Sequence, residues 1–76
     1  MNNIKDISYI KKFGVNLREI RMSKKMSQEV LAYSSDIPIS QIGRIERGEI
    51  NTTISTIKAI SIALNIPIKN LFDFDV

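Results

Sequence analysis

Apolar residues recur every three or four positions along most of the chain, the spacing of amphipathic helices rather than of strands. The longest such segment runs from about residue 8 to about residue 24 and predicts a first helix. Residues 1–8 carry no clear pattern and are interpreted as an N-terminal arm or an extension of this helix. The stripe expected to face the core consists of Ile10, Phe13, Gly14, Leu17, Ile20 and Arg21.

Two shorter segments predict a second and a third helix with a tight turn between them. The second helix begins after Ser27, a favourable N-cap, and is expected to turn Val30 and Leu31 inward. The third helix lies between Pro38, whose fixed φ suits a helix start, and Gly48, which suits a C-terminal cap. These helices are expected over residues 28 to about 34 and 39 to about 47, the latter with Ile42 and Ile45 inward.

The last part of the chain predicts two more helices. A polar run at residues 51–53 can cap a fourth helix, Ile54–Leu64, and Asn65 tolerates the left-handed conformation that ends a helix. Pro67 begins a final short helix, Ile68 to about Phe72. Because no strand pattern is present, the chain is expected to form one all-α domain of five helices over residues 9–76.

The composition excludes several kinds of chemistry. The chain of 76 residues has no Cys and no His, which removes disulfides, thiolate catalysis, the usual zinc ligands and the commonest general acid–base. No apolar run approaches the roughly 18 residues of a membrane helix, and the N-terminus lacks the charged and then apolar regions of a secretory signal peptide. We therefore expect a cytoplasmic protein that is no enzyme, holds no cofactor or metal and does not associate with a membrane.

Charge is distributed unevenly along the chain. Residues 1–58 contain ten of the eleven Lys and Arg residues and six of the eight acidic residues, and therefore carry +4. Residues 59–76 contain Lys69 against Asp73 and Asp75, and therefore carry −1. The net positive charge of residues 1–58 suits a polyanionic partner. Alternatively, these charges are those of an ordinary solvated surface.

The second and third helices, with the short turn between them, have the layout of a helix-turn-helix. In such a unit the second member lies in the major groove of DNA, and the first braces it across the backbone. Side chains such as Ser, Gln and Arg can hydrogen-bond base edges, which suits the third helix to the reading of DNA. Alternatively, the third helix is only a polar surface helix that does not contact DNA. The positions expected to be exposed on the third helix are Ile39, Ser40, Gln41, Gly43 and Arg44.

Four sequence runs resemble the Xre/Cro–C1-type helix-turn-helix family, which has a phage-repressor-like domain. They read Leu-Arg-Glu-Ile-Arg at residues 17–21, Met-Ser-Gln-Glu-Val-Leu-Ala at residues 26–32, Ile-Gly-Arg-Ile-Glu-Arg-Gly at residues 42–48, and residues 57–67. The resemblance covers residues 13–72. It implies a five-helix, lambda-repressor-like fold and a transcription regulator that binds double-stranded DNA.

The resemblance also implies roles for individual residues. Ile39, Ser40 and Arg44 match the base-reading positions of the family, whereas Arg21 and Glu46 match a structural ion pair between the first and third helices. Contacts with the DNA backbone are implied for Gln28, Asn51, Thr52 and Thr53. Gln41 and Gly43 lie beside the base-reading positions, near the DNA backbone. Arg18 is either a further phosphate contact or simply solvated.

Two of the departures from the pattern of the family bear on the reading of bases. Pro38 stands where a Ser or Thr is usual, so a hydroxyl that would cap the helix and touch phosphate is missing. Ile39 replaces a commonly polar base reader and could instead pack on a thymine methyl group.

Apolar residues near the C-terminus predict a homodimer. Ile62 lies opposite the inward face of the fourth helix, and one small domain cannot easily bury every apolar residue that follows. A two-fold dimer would place two reading helices about 34 Å apart, one turn of DNA. Alternatively, Leu71 and Phe72 belong to the core, and Ile62 is a single apolar residue at the surface. The candidate interface consists of Ile62, Ile68, Phe72 and Phe74.

The expected function is that of a sequence-specific regulator bound as a homodimer to a pseudo-palindromic operator, without a small-molecule effector. The chain resembles short regulators of this fold: restriction–modification controller proteins, compact phage-type repressors and antitoxins. The Asn-Thr-Thr-Ile-Ser run at residues 51–55 is similar to the controllers. The alternative is an antitoxin-like or protein-interaction module of the same fold.

Overall fold

The computed structural model describes residues 4–76, which form four α-helices and one 3₁₀ helix with no strand among them. The all-α prediction is confirmed, and each predicted helix lies within two residues of its expected bounds. The fifth helix is a 3₁₀ helix of five residues, in keeping with the use of this geometry in short segments. The elements are α1 (Ile7–Ser23), α2 (Gln28–Ser35), α3 (Ile39–Glu46), α4 (Ile54–Leu64) and the 3₁₀ helix (Ile68–Phe72).

Local side-chain contacts explain where most helices begin. The carboxylate of Asp6 accepts a hydrogen bond from the Tyr9 backbone N–H at 3.0 Å and starts α1. The Ser27 and Thr53 hydroxyls cap α2 and α4 in the same way. Pro38 stands at the start of α3 without a side-chain cap, as its chemistry requires. Of the segment interpreted as an arm or helix extension, residues 1–3 lie outside the described part of the chain.

The core lies where all five helices meet. Val30, which was expected to face inward, is half exposed instead, so that prediction is wrong. Adjacent residues of a helix point about 100° apart, and α2 turns Leu31 and Ala32 to the core rather than Val30. The buried apolar side chains are Phe13 and Leu17 from α1, Leu31 and Ala32 from α2, Ile42 and Ile45 from α3, Ile60 and Leu64 from α4, and Leu71 from the 3₁₀ helix.

A close crossing of α1 and α3 positions the rest of the helix-turn-helix. A Cβ atom at Gly14 would lie 2.5 Å from the carbonyl oxygens of both Ile45 and Glu46. Only a residue without a side chain allows the two backbones to approach so closely. This contact brings the C-terminal half of α1 beside the end of α3.

The C-terminal segment packs back against α1. The Asn16 side-chain amide donates to the carbonyl oxygens of Asn70 at 3.0 Å and Leu71 at 2.9 Å. Aromatic rings from the two segments also meet, with centroids 5.0 Å apart for Phe13 and Phe72 and for Tyr9 and Phe74. Within residues 4–76, no helix has the length and apolar character needed to cross a bilayer.

Candidate nucleic-acid interface

The outer side of α3 is open to solvent and carries the residues implied to read bases. Ile42 and Ile45 are buried on the inner side, which turns Ile39, Ser40 and Arg44 outward. The Arg44 side chain retains 57% of its exposure, and Ile39 retains 47%. The α2–turn–α3 unit therefore presents an apolar, a hydroxyl and a guanidinium group on one surface.

A buried hydrogen-bond network holds α3 in place against the other helices. The Arg21 guanidinium donates to both carboxylate oxygens of Glu46, from Nε at 2.6 Å and from Nη2 at 3.0 Å. Its remaining nitrogen, Nη1, donates to the Met26 carbonyl oxygen at 2.8 Å. Gln28 donates its amide to Glu46 Oε1 at 2.9 Å. The residues implied to form a structural ion pair thus link α1, the α1–α2 turn, the start of α2 and α3.

Gly43 is buried, although the helix periodicity predicted an exposed position. The Arg47 side chain lies across it, and a Cβ atom on Gly43 would be 2.9 Å from Arg47 Nη1. The same Cβ would lie 3.8 Å from the Gln28 Oε1 atom. Gly43 therefore leaves room for the Arg47 side chain on a side of α3 that Gln28 also approaches, and this crowding is not visible in the periodicity. Gln41 is half-buried.

The loop between α3 and α4 holds the three residues implied to contact the DNA backbone. Asn51 is exposed, and Thr53 caps α4 by accepting from the Thr56 backbone N–H at 3.2 Å. The Thr52 hydroxyl points inward and has no hydrogen-bond partner among residues 4–76. Any contact of Thr52 with a phosphate would therefore come from its backbone. At the start of α4, the backbone N–H groups of Ile54 and Ser55 have no hydrogen-bond partner among residues 4–76, whereas the Thr56 N–H is taken by the Thr53 cap.

A basic cleft of about 770 Å³ lies between α1, the start of α2 and the end of α3. Lys11 and Arg18 line it from α1, Gln28 from α2, and Arg47 follows α3. Lys11 and Arg47 were missed by the sequence analysis. The available signal for Lys11 was its seven-residue spacing from Arg18, which places both on one side of α1.

Glu49 is an acidic residue that lies among these cations, and the sequence analysis did not identify it either. Glu49 contacts Arg47 Nε at 2.6 Å and lies 3.9 Å from Arg44 Nε. The hydrogen bond from Arg47 lowers the pKa of Glu49 below its ordinary value, and Glu49 in turn raises the pKa of Arg47. Gly48, with φ of 71°, turns the chain back after α3 and makes this approach possible.

The residues of the candidate dimer interface lie partly at the surface. Ile62 is 67% exposed on α4, whereas Ile68 and Phe72 are 40% and 37% exposed. Phe74 is half-buried against Tyr9. In residues 4–76, no group of three or more Asp or Glu side chains could hold a metal ion.

Comparisons with known proteins identify similar sequences and structures. The model of a protein family described as Helix-turn-helix (HTH_3) matches residues 17–71. The chain is 46% identical over 63 residues to the control protein C.BamHI of Bacillus amyloliquefaciens, an alignment that covers 82% of this chain and 78% of that protein.

Two crystal structures extend this similarity to the fold. The restriction-modification controller protein C.AhdI from Aeromonas hydrophila has a TM-score of 0.84 and 40% identity, and the match covers 86% of this chain and 98% of that one. An HTH_3 family transcriptional regulator from Vibrio cholerae has a TM-score of 0.85 and 26% identity, and the match covers 90% of this chain and 38% of that one.

Proposed function

The chain belongs to the HTH_3 helix-turn-helix family, and on that premise we propose that it is a sequence-specific transcription regulator that binds double-stranded DNA as a homodimer. We propose further that it is a controller of a restriction–modification system, and its similarity to two controller proteins supports this. It would bind a pseudo-palindromic operator, require no effector or cofactor, catalyse no reaction and act in the cytoplasm.

The observation that carries this proposal is the open outer side of α3. Arg44 presents hydrogen-bond donors that match the acceptors of guanine in the major groove, and Ser40 can bond to several base edges. Ile39 is suited to pack on a thymine methyl group. Specificity would therefore come from these three side chains.

Contacts with phosphates would supply most of the affinity. The free N–H groups at the start of α4 suit an anion, and Asn51 is exposed beside them. At the other side of α3, Gln28 uses one amide hydrogen on Glu46 and keeps the second for a phosphate. Arg18 lies in the same basic cleft. The two sides together would hold α3 in register with the duplex.

Selection of bound duplexes from a random pool tests this function. The selected sequence should be a pseudo-palindrome with half-sites about 10 base pairs apart between centres. Fluorescence anisotropy should then show weaker binding as salt rises from about 50 to 200 mM, because phosphate contacts release counterions. A protein that retained no duplex at the lower salt would contradict the proposal and favour a protein-interaction module of the same fold.

A further inference from the structure

Glu49 stands between the two arginines at the end of α3. Its Oε2 atom lies 2.6 Å from Arg47 Nε, and its Oε1 atom lies 3.4 Å from Arg47 Nη2 and 3.9 Å from Arg44 Nε. The backbone N–H of Glu49 donates to the Arg44 carbonyl oxygen at 2.9 Å, which fixes the start of this side chain beside the helix. The carboxylate is therefore held within the proposed DNA surface.

This arrangement contributes little to folding. The side chains of Arg44, Arg47 and Glu49 retain 57%, 59% and 48% of their exposure, so water and salt screen their attraction. The Arg21–Glu46 pair is the opposite case, since both side chains are buried. Any effect of Glu49 should therefore appear when another anion competes with its carboxylate for the two arginines.

Glu49 contacts only some of the cations of this surface. Two of the three ion pairs in residues 4–76 involve Glu49, and they join it to Arg44 and Arg47. Lys11 and Arg18, which line the same cleft as Arg47, have no acidic partner within 4.0 Å among those residues. Glu49 thus neutralises the two arginines at the end of α3 and leaves Lys11 and Arg18 without an acidic partner among the described residues.

We propose that Glu49 is a specificity-determining residue whose carboxylate competes with DNA phosphates for Arg44 and Arg47. The inference rests on the proposed function. Non-specific binding depends almost entirely on phosphate contacts, whereas a correct site also offers base edges. The 3.9 Å contact of Arg44 is long and is released easily when a base accepts its hydrogen bonds. The 2.6 Å contact of Arg47 is retained and keeps this cation from strengthening binding to arbitrary duplexes.

The variant Glu49→Gln tests this role, because glutamine keeps the size of the side chain and removes its charge. The matched control is Glu19→Gln, which makes the same charge change at an exposed position of α1 that lies in no ion pair among residues 4–76. Each protein is titrated with the selected duplex and with a scrambled duplex of equal length. The titrations are repeated at several salt concentrations.

Glu49→Gln should bind the scrambled duplex several-fold more tightly and the selected duplex with a smaller gain, so the ratio of the two affinities falls. The plot of log affinity against log salt for the scrambled duplex should steepen by about 0.9 for each arginine released to a phosphate. Glu19→Gln should change both affinities by one common small factor. Adding Arg47→Gln to Glu49→Gln should remove the part of the gain that both duplexes share, because the Arg47–Glu49 contact is present on either duplex. The part confined to the scrambled duplex, which comes from Arg44, should remain.

Equal gains for both duplexes, or behaviour identical to Glu19→Gln, would overturn the role of Glu49. Unchanged thermal unfolding of both variants would establish that the comparison concerns folded protein. Wild-type protein that binds no duplex would instead contradict the proposed function itself. If the wild-type protein discriminates between the duplexes and Glu49→Gln has the same two affinities as the wild type, this inference alone would be contradicted.

Discussion

Burial decides the role of each arginine in this small domain. Arg21 is 8% exposed, and its guanidinium donates to two oxygens of Glu46 and to one carbonyl oxygen. A buried charge must be paired in this way, so its donors are committed to the structure. Arg44 is largely exposed and has only a loose contact with Glu49. Its donors remain available to a ligand.

Replacement of Arg44 by alanine should relax specificity at one base position of the operator. The expected cost is about 1–3 kcal/mol for the correct base, because bidentate hydrogen bonds to that base are lost. Anisotropy titrations with operators substituted at each position measure it. Gln28→Ala serves as the comparison and should weaken binding to all sequences. If Arg44→Ala lowered affinity equally for every operator, the residue would be a phosphate contact rather than a base reader.

Replacement of Arg21 by alanine should destabilise the fold by about 3–5 kcal/mol, because Glu46 would be left buried and unpaired. Urea denaturation measures the free energy of unfolding. The double variant Arg21→Met with Glu46→Leu should recover much of the loss, since a well-packed apolar pair avoids the cost of burying charge. A double variant as unstable as Arg21→Ala would show that the charge itself is not the cause.

Short helices in this chain depend on residues that can end them. In residues 4–76, all four residues with positive φ follow a helix: Lys25 after α1, and Asp36, Gly48 and Asn65 after the shorter α2, α3 and α4. Helices of 8 to 11 residues such as these are not stable in isolation and hold their shape through packing. Sharp helix ends let the chain return to the core after so few turns.

Replacement of Asn65 by alanine should lower the free energy of unfolding by about 1 kcal/mol. The residue has φ of 56°, a left-handed conformation that alanine resists because of its Cβ atom. Asn65→Gly should leave stability nearly unchanged, since glycine adopts positive φ readily. Urea denaturation of the three proteins gives the comparison. Equal losses in both variants would mean that the asparagine side chain, and not the backbone conformation, supports this turn.

At the scale of the whole molecule, the proposed DNA surface around α3 is accompanied by partly exposed apolar residues of α4 and the 3₁₀ helix. Ile62 on α4 and the partly exposed Ile68 and Phe72 are the residues of the proposed dimer interface. Two copies joined there would place two α3 helices at the spacing of one DNA turn. Binding to both half-sites at once would then raise the affinity above that of a single domain.

The variant Ile62→Glu should convert the dimer to a monomer in sedimentation experiments at tens of micromolar protein. Each isoleucine that loses its burial costs about 1.5–3 kcal/mol, and a two-fold interface loses two of them. Affinity for the full operator should fall in parallel. Ile7→Glu is the control, because Ile7 is 58% exposed in the first turn of α1, where a carboxylate is favourable. Wild-type protein that sediments only as a monomer without DNA would contradict the interface.

The helices, their order and the family could be predicted from the sequence, because helical periodicity, N-caps such as Ser27 and the turn at Gly48 are local interactions. The motifs also pointed to the pairing of Arg21 with Glu46. The pairing of surface charges depends instead on how the helices pack: Lys11 and Arg47 share a cleft because α1 crosses α3 closely at Gly14. Glu49 faces the arginines for a similar reason. Contacts between remote segments depend on how helices cross and where turns lead, and no local pattern encodes those distances.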